Sequence, residues 1–253
     1  MFITLLVLFG LMVGSYLGVV ADRLPREEPT STGRSHCDAC GAELRWFELI
    51  PVVSWLVQRG RCRRCGVSIT VAPLLMEIVT GALFGVMAAR FGQHLETAAF
   101  VVLVGALMAL SVIDLRTRRL PRQLIYFAGA LGAPLLVAAA LLAHEPQRIW
   151  WAAVGGSGAL VFFLALYFGW SGGMGDGDVR LAGLLGMYLG WIGLMHVPIG
   201  LFLGFLAGAV VGVAAMAKGG DRKTAVPFGP FMAVGALIAM VWGHPIVNLW
   251  LGH

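Results

Sequence analysis

The chain has 253 residues, of which 59% are hydrophobic and only 12% charged, and its mean hydropathy is +0.86. That balance excludes an ordinary soluble domain and reads as a polytopic membrane protein. The net charge of +5 sits on basic residues between apolar runs, which argues for membrane orientation and against a nucleic-acid partner.

Residues 1–20 are apolar, with no Lys or Arg before them and no small-residue cleavage site. They read as a retained membrane helix rather than a secretory signal. Further spans are expected at 72–90, 97–113, 123–143, 149–169, 179–190, 194–217 and 228–250. The fold class is therefore all-α and polytopic, with about eight transmembrane helices; the sixth is short and reads as a partial or tilted span. Sixteen of the 18 basic residues fall in residues 21–71 and in the third-to-fourth, fifth-to-sixth and seventh-to-eighth connections. The alternate connections hold only Arg90 and Arg148. Positive loops face the cytoplasm, so the pattern fits eight spans with both termini outside.

The long loop after the first span carries His36-Cys37-Asp38-Ala39-Cys40-Gly41 and Arg61-Cys62-Arg63-Arg64-Cys65-Gly66. These are two C-x-x-C knuckles with 21 residues between them, marginally beyond the usual zinc-ribbon spacing. Four thiolates make a closed tetrahedral site, so Cys37, Cys40, Cys62 and Cys65 predict a structural zinc in a small cytoplasmic loop domain. Two disulfides are the alternative, which a reducing compartment disfavours. His36 is not needed in a shell that four cysteines fill. Between the knuckles, Glu48 to Trp55 is apolar and aromatic. It reads equally as a membrane-facing stretch or as the core of the loop. Glu77 opens the second span; it should face the bundle interior and find a partner there.

Acidic residues are scarce beyond that loop: Glu77, Glu96, Asp114, Glu145, Asp176, Asp178 and Asp221. Asp114 ends the third span, just before Arg116, Arg118 and Arg119. Asp178 follows the glycine loop Ser171-Gly172-Gly173-Met174-Gly175-Asp176-Gly177 and opens the sixth span. The topology sets both acids at one depth on the cytoplasmic side. Two carboxylates in one site share a proton, which supplies a base to activate water and an acid for the substrate carbonyl. A surface salt bridge is the plain alternative for Asp114, and helix capping for Asp176 and Asp178. No G-x-S-x-G elbow, H-E-x-x-H helix or Walker A is present.

Gly175-Asp176-Gly177-Asp178-Val179-Arg180 resembles the G-x-G-D-x-K signature of the prepilin leader peptidase family (type IV prepilin-like peptidases). Ile113-Asp114-Leu115-Arg116 through Leu120-Pro121 resembles the segment with the family's other catalytic aspartate. Gly14-Ser15-Tyr16-Leu17 through Arg23-Leu24-Pro25, Ile50 to Leu56, Arg59-Gly60-Arg61-Cys62, Glu77 to Gly81 and Pro227-Phe228-Gly229-Pro230-Phe231 continue the likeness in order. The resemblance implies an intramembrane aspartyl endopeptidase with Asp114 and Asp178 catalytic. It implies removal of the leader of type IV prepilins or type II secretion pseudopilins, in the bacterial inner membrane, with a cytoplasmic active site. Relatives with four cysteines typically also N-methylate the new terminus with S-adenosyl-L-methionine. Residues 1–71 would then be the methylase-linked region and 72–253 the peptidase domain. The sequence departs from the family at Gly18 (usually Asn), Ala72 (usually Tyr), Arg122 (often an acid) and Arg180 (usually Lys). The first two lie in the methylase-linked half. A proton-coupled transporter and a non-enzymatic assembly component are the rival classes. The acids gather at one face instead of running through the midplane, which favours the enzyme.

Overall fold

The computed structural model describes residues 1–169, 174–217 and 227–251. Ser171 to Gly173 of the glycine loop, and the basic residues Lys218, Arg222 and Lys223, lie outside the described residues. The chain forms two compact units, Met1–Gln93 and His94–His253.

In the first unit, α1 (Phe2–Arg23) packs along α3 (Ala72–Phe91), and the loop between them holds the short helix α2 (Val53–Val57). The long helices meet through glycines, Gly10 and Gly14 on α1 against Gly81 and Gly85 on α3. A Cβ on Gly10 would lie 2.8 Å from the Gly81 Cα, and one on Gly14 would lie 2.8 Å from the Glu77 Cα. In lipid no hydrophobic gain drives helices together, so small residues that let backbones touch supply the packing. Pro73, in the first turn of α3, needs no N–H partner there.

The segment between the knuckles is a 3-10 turn (Trp46–Leu49) followed by α2. Trp46, Leu49, Ile50, Val53, Leu56 and Val57 are exposed, so their side chains do not form the core of the loop. Of the two readings open for this stretch, the membrane-facing one fits that exposure.

The second unit is a bundle of α4 (Leu95–Thr117), α5 (Arg122–Leu142), α6 (Gln147–Gly169), α7 (Asp176–Ile192), α8 (His196–Ala217) and α9 (Gly229–Leu251). α7 touches α5, α6, α8 and α9, and most of its residues are buried. A second glycine seam makes this possible. A Cβ on Gly190 would collide with the Trp151 carbonyl of α6. Burial on most sides explains why a 17-residue helix can serve here, since lipid need not see its full length.

Eight long helices thus occupy the expected stretches, and the all-α class holds, with no named strand among the described residues. Six are long and apolar enough to cross a membrane: α1, α3, α4, α5, α6 and α8. α7 is too short for that criterion, and in α9 only Gly229–Gly243 counts as an apolar helix. The count of eight crossings is thus not settled by helix length and composition.

Candidate active site and cysteine cluster

The two knuckles fold alike. An antiparallel bridge closes each, His36 with Glu43 and Arg61 with Ser68. The Cys37 N–H donates to the Ala42 carbonyl and the Cys62 N–H to the Val67 carbonyl. Gly41 (φ +67°) and Gly66 (φ +74°) take the left-handed conformation that turns the chain back at each knuckle. The four Sγ atoms lie within 4.8 Å of one another, which fits a tetrahedral ion; His36 is not in the cluster. Backbone N–H groups of Cys65 and Arg64 point at the Cys62 sulfur and lower that thiol to about 6, while burial and the neighbouring sulfurs push Cys65 up to about 11. The cluster thus favours one thiolate among its four sulfurs, and binding a metal there would release the remaining protons.

In the second unit, Asp114 sits in the last turn of α4, whose end is capped by Arg118 in the left-handed region (φ +54°). An acid near a helix C-terminus faces the unfavourable end of the dipole. The compensation comes from elsewhere: the Gly229 N–H, at the first position of α9, donates to Asp114 Oδ2 at 2.9 Å. Asp114 is 5% exposed. A Cβ on Gly229 would lie 2.9 Å from that same oxygen and 3.0 Å from Leu120 Cδ2. Only glycine leaves this approach open.

Asp178 is the third residue of α7 and is half-buried; the Gly175 N–H, at the helix cap, donates to its Oδ2 at 3.1 Å. The capping alternative read from sequence is therefore real for Asp178, and it leaves Oδ1 free of a protein donor among the described residues. Leu120 links the surroundings of the two acids: it packs against Gly177, beside Asp178, and against Gly229, whose N–H holds Asp114. No Lys, Arg or His among the described residues lies within ion-pair distance of either. Asp176 differs: it is 69% exposed and pairs with Arg180 Nη1 at 2.6 Å.

In the sequence Gly229 stands only as one residue of a motif, with nothing to mark a role for it. Its partner lies 115 residues away, so no local signal could have tied the two together. Glu77 in the first unit is 9% exposed, and its partner is backbone: the Val52 N–H donates to Oε2 at 2.7 Å.

Residues 8–91 match the family described as the bacterial peptidase A24 N-terminal domain, and residues 101–213 match the type IV leader peptidase family. A prepilin leader peptidase/N-methyltransferase of Bacillus subtilis is 32% identical over 98% of both chains. Proteins with the same name from Pseudomonas putida (35% identical; 97% of this chain, 92% of the relative) and Pseudomonas aeruginosa (32%; 99% and 93%) are similar over nearly as much. The chain belongs to the type IV leader peptidase family. No solved structure matches it significantly. The two family matches divide the polar groups. The cysteines and Glu77 fall in the N-terminal domain, and Asp114 and Asp178 in the leader peptidase segment. Gly229 lies beyond both.

Proposed function

We propose that this leader peptidase family member is an aspartyl endopeptidase that cuts the leader from type IV prepilins or type II secretion pseudopilins at the cytoplasmic face of the inner membrane. The observation that supports it most is the pair Asp114 and Asp178, whose neighbouring glycines pack on one side chain, Leu120, each acid held by one helix-start N–H and neither paired with a cation among the described residues. One carboxyl takes a proton from water and the other gives one to the scissile carbonyl oxygen. Collapse of the tetrahedral species returns the proton to the leaving amine. The pair titrates as a unit, so neither acid is given a fixed role. Gly229 and Gly175 fix the Oδ2 atoms and leave both Oδ1 atoms for water and substrate.

The four cysteines would hold zinc as a structural clamp on the loop. Fresh protein should contain one zinc per chain, and Cys37→Ser or Cys62→Ser should lose it. Finding free thiols and no metal would remove the clamp from this reading. We read the methylase-linked region as residues 1–71 together with α3, which packs on α1 in the first unit, and the peptidase chemistry as carried by the second unit. S-adenosyl-L-methionine would supply an activated methyl group for the new N-terminus. No set of described residues reads as a pocket for its adenosine.

Mass spectrometry of a co-expressed prepilin tests both activities at once. Leader loss with one added methyl group is expected. An intact leader beside folded, zinc-loaded enzyme would contradict the peptidase reading.

A further inference from the structure

Two unfavourable features coincide in the first unit, and neither takes part in peptide cleavage. Val52 has φ +63° and ψ −51°, and the Val53 N–H donates to the Pro51 carbonyl at 2.6 Å. This is a γ-turn of the strained hand, centred on a β-branched residue. Such backbone is strained and tends to mark functional sites.

The same Val52 gives its N–H to Glu77 Oε2. Glu77 is nine-tenths buried on α3, where the close approach of Gly14 on α1 covers its backbone. No cation among the described residues pairs with it, and Oε1 has no donor there. A buried carboxylate with half its acceptor capacity empty and no counter-charge is costly unless something binds it. The missing partner must be cationic and must donate a hydrogen bond. An ammonium does both. A sulfonium carries the charge but has no N–H or O–H to give, so the methyl donor would reach this oxygen only through its own amino group or ribose hydroxyls, and not through its reacting centre.

We propose that Glu77, braced by the strained turn at Val52, is an ammonium-binding site that receives the free α-amine of the cleaved substrate before methylation. This rests on the methylation reading above. Bound there, the amine is held and oriented by the carboxylate, and the proton that it sheds before accepting the methyl group goes to solvent. Val52 acts as a positioning residue, since its N–H fixes the other carboxylate oxygen.

Glu77→Gln keeps an oxygen for the Val52 N–H and removes the charge. The purified full chain in detergent is titrated with a short apolar peptide amide bearing a free α-amine, and with its N-acetylated form. Wild type should bind the free amine at least 10-fold more tightly than the acetylated peptide, and Glu77→Gln should abolish that preference. With a co-expressed prepilin, Glu77→Gln should still remove the leader but leave the terminus unmethylated. Retained zinc and leader cleavage report intact folding. If the variant loses its zinc, carbodiimide coupling of the free-amine peptide to wild type decides instead, with Glu77 the expected labelled residue and its absence contradictory. Normal methylation by Glu77→Gln would overturn the proposal. So would a variant that loses affinity for S-adenosylmethionine alone, since the carboxylate would then serve the donor. Wild type that cleaves but never methylates would overturn the methylation reading, while the peptide titration would still judge the ammonium site.

Discussion

At one end of the second unit, the charge of Glu96, in the first turn of α4, is balanced by a cation. Its Oε2 accepts from Trp191 Nε1 at 2.8 Å and from Arg148 Nη1 at 3.3 Å. Arg148 also pairs with Glu145 and lies 5.6 Å over the Trp191 ring. At the other end of the same helix, about 27 Å away by helical rise, Asp114 has one backbone N–H and no cation among the described residues. A fold that can set arginine and indole on Glu96 leaves Asp114 and Asp178 with no cation among the described residues. Charge balance serves stability. A vacant counter-charge position beside a second acid serves chemistry, and active sites carry such unbalanced charge at some cost in stability.

The two ends should therefore respond oppositely to substitution. The largest effect is expected at the vacant end. Asp178→Asn keeps the side-chain shape and should lower leader cleavage by several orders of magnitude, with melting temperature unchanged or raised. A matching loss of stability would make Asp178 a structural acid like Glu96. Next comes Gly229→Ala. The added methyl group presses on Asp114 Oδ2, and displacing a reacting carboxylate should cost about 100-fold in kcat with KM nearly kept. A rise in KM alone would mean that Gly229 touches substrate instead of positioning the acid.

At the charge-balanced end, Glu96→Gln removes the charge facing Arg148. It should destabilise the unit by about 2 kcal/mol, read from denaturant midpoints, while turnover per folded molecule stays normal. The smallest effect belongs to Asp176→Asn. Its exposed pair with Arg180 contributes no more than about 1 kcal/mol, so cleavage should stay within a few-fold of wild type. An inactive Asp176→Asn would assign the chemistry to the wrong acid of the glycine loop.

Much of this was legible in the sequence because lipid enforces simple rules. Apolar stretches of sufficient length must be helices, and the scarce acids drew attention to Asp114 and Asp178. The limits have physical causes too. α7 begins at Asp176, three residues before its apolar run, so Asp178 lies inside the helix's first turn. Apolarity marks where a segment is buried, not where its hydrogen bonds start. The Gly229–Asp114 and Val52–Glu77 contacts join distant backbone to side chain, and no periodicity records such pairs. The strain at Val52 was equally hidden, since valine is a poor choice for positive φ. Only the tertiary frame reveals that it is held there.

The central claim is that Asp114 and Asp178 work as one device. It is tested most directly by measuring leader cleavage for Asp114→Asn, Asp178→Asn and the double variant, in membranes normalised for folded enzyme. Each single substitution should remove nearly all activity, and the double variant should be scarcely worse than either. Losses that multiply in the double variant, or substantial cleavage by either single variant, would contradict the shared-proton pair.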